Sequence, residues 1–361
     1  MLSHTINTTR IPGSNPVEFG INLCHFVYPT QRVPWRPNVA ILTPEDDPFP
    51  AVIASSLMHH PLNGPMLITP RDHVAPAVAA ELHRLRLPGF RHGDESHLLH
   101  VLMVGRFERA AIQAVQELGY TVAALTEPDP VRLAIAVAHL RRQIVEEMGE
   151  HIQDVCVVSR QESHLAMAVP AFAAHAGVPI LLSEIGQVPS EVKTLLGELG
   201  APRVHVIGSD SADVQRLVSE FTAITGGAVA RVGGSDGVET SIALAQYQSP
   251  DGAFGWGRNQ PGGHAFAFAP VDRWYTAILG GLLGHLGKHA PVLIVPEGTG
   301  LPTSLRRYLR SVRPAPMQPP GPPFMHGFLL ADPDQGISMA MQWAIEEELT
   351  PAHENPAHPM P

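Results

Sequence analysis

GSDGVETSIALAQY, Gly234 to Tyr247, decides how this chain folds. With Gly233 before it, the stretch fits G-x-S-x-G, the nucleophile elbow of serine hydrolases, with Ser235 as the nucleophile. Two other stretches share its frame: GSNPVEFGINLCHF (Gly13–Phe26) and EPDPVRLAIAVAHL (Glu127–Leu140). Each reads Asn or Asp, one residue, Val, three residues, Ile, one residue, then Leu or Val. The shared valines Val17, Val131 and Val238 lie 114 and 107 residues apart. The place of Ser235 is taken by Ser14 in one copy and Pro128 in another, so a nucleophile is not what repeats. A helix start is. Asn15, Asp129 and Asp236 each offer a side-chain oxygen to an orphan backbone N–H, and Glu18 and Glu239 stand three residues on, as in a capping box.

The repeat extends outward from these caps. NGPMLIT (Asn63–Thr69), AGVPILLS (Ala176–Ser183) and KHAPVLIV (Lys288–Val295) place prolines at 65, 179 and 291 before short apolar runs, the pattern of buried strands with Pro at the first position. HLLHVLMVG, PRVHVIG and HGFLLAD form a third set, ending at Gly105, Gly208 and Asp332. The last is delayed by a Pro-rich insert, Arg313–Phe324. TVAALT (Thr121–Thr126) and GAVARVG (Gly227–Gly233) precede two of the caps, and TINTTRI (Thr5–Ile11) precedes the first. No such run follows the last helical segment, GISMAMQWAIEEEL, so the chain completes its count with its own beginning. A further strand and helix precede each Pro run: NVAILTPEDDPFPAVIASSLMHH, DVCVVSRQESHLAMAVPAFAAHA and HAFAFAPVDRWYTAILGGLLGHLG. Each unit reads strand–helix four times over. That pattern predicts parallel βαβ units with right-handed crossovers, and hence small doubly wound, Rossmann-like α/β domains. The boundaries fall at 4–126, 127–233 and 234–349, with a Pro-rich, disordered tail at 350–361.

Composition narrows the function. The 361 residues are 44% hydrophobic and 16% charged, enough to bury a real core. A net charge of −10 argues against a general nucleic-acid binder. Cys24 and Cys156 stand far apart in apolar settings and read as buried free thiols. No C-x-x-C, H-E-x-x-H, Walker loop or strand-following G-x-G-x-x-G is present, so neither a metal nor a cofactor is expected. The twenty histidines, including the His97/His100 and His59/His60 pairs, read as scattered polar or core residues. No apolar run reaches the ~18 residues a membrane span needs. No export signal opens the chain, which predicts a cytoplasmic protein; export by another route would place it at the cell surface.

These motifs resemble those of the type-two cell-wall-binding repeat family of Gram-positive surface-layer and wall-associated proteins. RVGGSDGVETSIALA (Arg231–Ala245) and RIPGSNPVEFGINLC (Arg10–Cys24) are similar to its R-x-x-G-x-[DN]-R-[YV]-x-T-A segment. PFPAVIASSL (Pro48–Leu57) looks like its F-P-D-A-L-A-A segment, with Ala51 in place of the Asp. Pro16, Pro130 and Gly237 stand where its motif has Arg. Pro179–Leu182 matches its P-I-L-L signature, with variants at Pro65–Ile68 and Pro291–Ile294, and Val206–Gly208 corresponds to its I-G-G strand. The resemblance spans roughly residues 4 to 349, with three ordered motif sets at one period. It implies three tandem Rossmann-like domains about a pseudo-threefold axis. It also implies non-covalent binding of an anionic wall polysaccharide between domains, near Pro65, Met66, Leu67 and Ile68, near Pro179, Ile180, Leu181 and Leu182, and near Pro291, Val292, Leu293 and Ile294.

Ligands of open parallel sheets gather beyond the carboxyl ends of the strands. Arg71, Arg160 and Arg273 fall there and suit a phosphate or carboxylate, or else pair with neighbouring acids. SLRRYLRSVRP (Ser304–Pro314) places Arg306, Arg310 and Arg313 on one helix face, the chain's best basic patch. The small residues of GGLLGHLG (Gly280–Gly287) suit close packing between repeats within one helical run. The sum is a non-catalytic binding or structural protein. The alternative is a cytoplasmic enzyme, a small-molecule binder or a self-assembling protein on the same scaffold.

Overall fold

The computed structural model describes residues 4–30, 36–91, 93, 98–184, 187–227, 229–286, 288–298, 300–315 and 322–351. His97, the middle of the Pro-rich insert and residues 352–361 of the tail lie outside these.

Every apolar run named above becomes a strand. The first unit has β2 (Ala40–Pro44), β3 (Met66–Thr69), β4 (Val101–Val104) and β5 (Val122–Leu125). The second has β6 (Asp154–Ser159), β7 (Ile180–Ser183), β8 (Arg203–Ile207) and β9 (Val229–Val232). The third has β10 (Ala265–Pro270), β11 (Val292–Val295) and β12 (His326–Leu329). Its fourth strand is β1 (Thr8–Arg10), from the other end of the chain. The three sheets have orders β3-β2-β4-β5, β7-β6-β8-β9 and β11-β10-β12-β1, and every pairing is parallel. In each, the second strand lies on one side of the first and the third on the other, so the topological switch falls between first and third strands. The fold is three α/β units with parallel sheets and interleaved helices.

The helices follow the same plan. After the fourth strands come α1 (Pro16–Val27), α5 (Pro130–Glu147) and α9 (Gly237–Gln246). Their caps form as the sequence predicts: Asn15 accepts from Glu18 N at 2.9 Å, Asp129 from Arg132 N at 3.0 Å and Asp236 from Glu239 N at 2.8 Å. The boxes close one residue early, with Ser14 N and Ser235 N donating to Glu18 and Glu239 at 3.0 and 3.4 Å. The Ser235 hydroxyl also donates to Glu239, at 2.8 Å, so it takes part in the cap. These helices pack on β3, β7 and β11, the edge strands that the prolines introduce. An uncovered edge is a template for unwanted pairing. Here α9 satisfies it directly, because the Ser241 hydroxyl accepts from Ile294 N at 3.0 Å.

The prolines occupy like surroundings. Pro65, Pro179 and Pro291 are buried, and their carbonyls accept from Ile41, Cys156 and Ala267 of the neighbouring first strand at 2.9, 3.0 and 2.9 Å. Pro lacks only a donor, so a place where its carbonyl alone is needed suits it.

The first crossovers hold α2 (Pro48–Ala54), α6 (Val169–Ala176) and the pair α10 (Trp274–Leu279) and α11 (Leu282–His285), and α2, α6 and α10 touch one another. The predicted single helical run through GGLLGHLG breaks at Gly280–Gly281. Its packing role stands: a Cβ on Gly284 would lie 2.6 Å from the Ala171 carbonyl, so only glycine lets α11 lie against α6. The second crossovers hold α3 (Pro76–Leu85), α7 (Ser190–Glu198) and α12 (Thr303–Val312). The third hold α4 (Arg109–Glu117) and α8 (Ala212–Thr225), and α13 (Met339–Leu349) follows β12 in the same place without a chain connection to β1. One apolar core runs through all three units, and a second lies under α12 and α13. Cys24 and Cys156 are buried free thiols.

Arg10 secures the join between the chain's ends. Its guanidinium is buried and donates to the carbonyls of Ala331 and Ile337 at 2.6 and 2.9 Å and to Gln342 Oε1 at 2.9 Å. Gln342 in turn donates to the Thr8 hydroxyl at 3.0 Å. Arg10→Met keeps the stem and strands three buried acceptors, so it should cost about 3 kcal/mol, read as a lower urea midpoint. An unchanged midpoint would mean that β1 is held by its backbone pairing alone.

Candidate functional site

The carboxyl ends of the three sheets differ in what fills them. In the second unit, Glu162 reaches from the loop after β6 across the switch to the loop after β8, accepting from Ser209 N at 3.0 Å and Ser209 Oγ at 2.7 Å. In the third, Asp332 after β12 accepts from Gly13 N after β1 at 3.1 Å. In the first unit the crossing group is Arg71. Its Nε donates to both oxygens of Asp46 at 2.6 and 2.8 Å, and its Nη1 donates to the Arg106 carbonyl at 2.9 Å. Beside it a cleft of about 470 Å³ stays open, lined by Asp46, Asp47, Arg106, Phe107, Glu127 and Leu133 among others. One wall is apolar, from Pro50, Phe107, Pro128, Pro130 and Leu133; the rim is charged.

Arg160 and Arg273 are also tied locally. Arg160 donates to Glu184 at 2.7 Å and lies 5.9 Å from the centre of the Phe49 ring. Arg273 donates to the Tyr275 hydroxyl at 3.1 Å, with Asp272 at 4.0 Å; that hydrogen bond, more than any other influence, raises its pKa further. The ion pair between first-strand and second-strand loops therefore recurs with its sign reversed, Asp46–Arg71 in one unit and Arg160–Glu184 in the next. The twelve residues Pro65–Ile68, Pro179–Leu182 and Pro291–Ile294 are buried in or beside the edge strands. They shape the wall beneath α1, α5 and α9.

Two grooves flank α5 and α9, the helices that link one unit's last strand to the next unit. Between α5 and α7 lies a groove of about 400 Å³ lined by Glu127, Arg132, Ile135, Ala136, His139 and Glu191. It shares Glu127 with the first-unit cleft. Arg132 lies 3.8 Å from Glu191. Between α9 and α12 lies the corresponding groove, also about 400 Å³, lined by Gly234, Glu239, Gln246, Ser304, Arg307 and Ser311 among others. Arg307 has no acidic partner among the described residues.

The basic face of α12 turns out to be structural. Arg306 and Arg310 converge on Glu348 of α13, which is fully buried, at 2.5 and 2.6 Å, and Arg313 donates to the Thr350 carbonyl at 3.1 Å. The patch read from the sequence is thus spent on holding α13. The i, i+4, i+7 spacing marked the face turned toward α13, and the groove residue Arg307 lies off it. A helical wheel alone does not tell which of two arginine faces looks outward.

No family profile matches the chain, and no curated protein does. Solved structures do. The chain is similar in fold to Cwp6 from Clostridium difficile. The TM-score is 0.73 at 16% identity, over 97% of this chain and 49% of that one. Cwp8 from the same organism matches with a TM-score of 0.71 at 15% identity, over 96% of this chain and 52% of that one. The chain spans about half the length of either, and at such identities the likeness concerns the fold.

Glu348→Gln should release the α12 arginines. It is expected to bind a sulfonate cation exchanger more tightly than Glu347→Gln, which makes the same change of net charge at an exposed neighbour. Equal elution of the two would show that Glu348 does not mask the arginines.

Proposed function

We propose that the chain is a cell-wall-associated binding module, without catalytic function, that holds an anionic wall polysaccharide in the grooves between its units, arranged about a pseudo-threefold axis. Three ordered motif sets resemble those of wall-binding repeats, and the fold resembles that of two C. difficile cell wall proteins. The observation that carries the choice of groove is Arg307. It lines the α9/α12 groove with Ser304, Ser311 and Gln246, and its guanidinium is uncommitted among the described residues. An uncommitted guanidinium offers a bidentate contact to carboxylate or phosphate, and hydroxyl and amide groups beside it suit sugar oxygens. The α5/α7 groove sets two carboxylates, Glu127 and Glu191, against Arg132, whereas the α9/α12 groove sets one, Glu239, against Arg307, and that one already accepts from the Ser235 hydroxyl; the α5/α7 groove therefore attracts an anion less. The grooves are related but unequal, and the protein works at the cell surface on this reading.

A second reading has its own support. The 470 Å³ cleft lies at the switch of the first sheet, where doubly wound domains take small ligands, and its mixed apolar and charged lining suits one. A small-molecule binder on the same scaffold would use it.

Sedimentation with wall fractions separates the readings. Arg307→Glu should weaken retention about tenfold, equivalent to about 1.4 kcal/mol, and retention by the wild type should fall with added salt. No retention of the wild type by any wall fraction would remove the first reading. A thermal shift with a small ligand, lost in Arg71→Met, would then favour the second.

A further inference from the structure

On the face of the molecule opposite the clefts, the carboxyl ends of the first-crossover helices converge. Each brings a histidine, and each histidine bonds to the next unit. His59 of the first unit donates from Nδ1 to the Ala174 carbonyl of the second at 3.0 Å. His175 of the second donates from Nδ1 to the Gly284 carbonyl of the third at 3.1 Å. His285 of the third pairs through Nε2 with Asn63 Oδ1 of the first at 2.8 Å. The bonds run from unit one to two, two to three and three to one, a closed ring. The His59 and His285 rings lie 4.7 Å apart. Trp256, from the loop after α9, stacks on His175 at 4.3 Å.

The charged groups that act on the three imidazoles share one sign, and Glu150 acts on Arg141. Arg141 of α5 donates to the carbonyls of Gly177 and His60 at 3.0 and 2.6 Å and sits against His59 and His285. His60, His289 and Arg258 are the other ionisable neighbours, with His289 Nδ1 3.1 Å from that of His175. Among the described residues no carboxylate acts on any of the three imidazoles.

We propose that His59, His175 and His285 form an acid-sensitive latch between the three units. Neutral, the imidazoles tie each unit to the next. Protonated, they place three positive charges beside Arg141 and loosen the unit contacts while each sheet keeps its own strand pairing. Burial first, and then the neighbouring positive groups, push His59 down to about 3 and His175 and His285 to about 4, against an ordinary 6.5. The sign follows from linkage. A loosened form with ordinary imidazoles binds more protons than the closed form between pH about 6.5 and about 4. Falling pH therefore favours loosening, and each such histidine shifts the balance tenfold per pH unit, up to about a thousandfold for three. Above pH about 6.5 the latch contributes its full stability, and by pH about 3 it is lost.

The test is an acid titration of the full chain, reading imidazole NMR signals and hydrogen exchange at α2, α6 and α11 together. Protection at these helices should fall below pH about 5, in step with titration of the three imidazoles and before the strands exchange. The triple variant His59→Gln, His175→Gln, His285→Gln keeps an N–H for each acceptor and removes the charge. It should stay closed at least one pH unit lower, whereas replacing the exposed His83, His151 and His164 by Gln should move nothing. A triple variant that is folded at pH 7 and opens at the wild-type pH would overturn the latch. Should that variant not fold, the wild type decides: ring imidazoles titrating near 6.5 with helix protection intact would also overturn it.

Discussion

The join between β1 and β12 carries the architecture. Two chain ends more than three hundred residues apart pair in register, with Thr8, Thr9 and Arg10 opposite Gly327, Phe328 and Leu329. Without that pairing the third sheet would end at β12, with an open edge exposed to solvent. With it, every unit has four strands, and every second strand is covered by a helix that follows the fourth strand of another unit. Units one and two are joined by continuous chain through α5, and two and three through α9. Only the last junction needs a noncovalent closure. That is where the structure places a buried arginine with three acceptors, in a setting where an unmet donor or acceptor is costly.

The closure explains why the units are alike in backbone yet unlike at their surfaces. Strand order, proline carbonyls and helix caps answer to packing, which the shared core imposes on all three copies. Loops at the carboxyl ends answer only to local charge balance. So Asp46–Arg71 and Arg160–Glu184 perform one bridging task with opposite polarity, and Glu162 fills a place that stays open as a cleft in the first unit. A surface ion pair tolerates such reversal because each sign supplies the same modest attraction. The binding potential of the three copies therefore diverges while their fold does not.

The opposite face shows the converse. There the helix ends of all three units meet, so residues far apart in sequence become one cluster. His59, His175 and His285 belong to three copies, and only their convergence makes a hydrogen-bonded ring. The loop after α9 adds Phe254 and Trp256, which stack on His205 and His175 and bind the second unit to the third. Arg141 links the same place to α5.

The sequence alone determined the period, the caps, the strand types and the parallel α/β class. It showed even that the first apolar run stands in for a missing last one. These are short-range properties: a cap, a proline before a strand and an apolar run each act within a few residues of themselves. What the tertiary structure decided were partnerships across the chain. Arg306 and Arg310 looked like a free basic patch until Glu348 was seen beneath them, and Arg307, off that face, was left to line a groove. The edge-strand signature residues proved to be buried wall. The histidines read as scattered until their helix ends converged. Which side of a charged helix faces a neighbour depends on where that neighbour packs, and spacing along one chain carries no record of it.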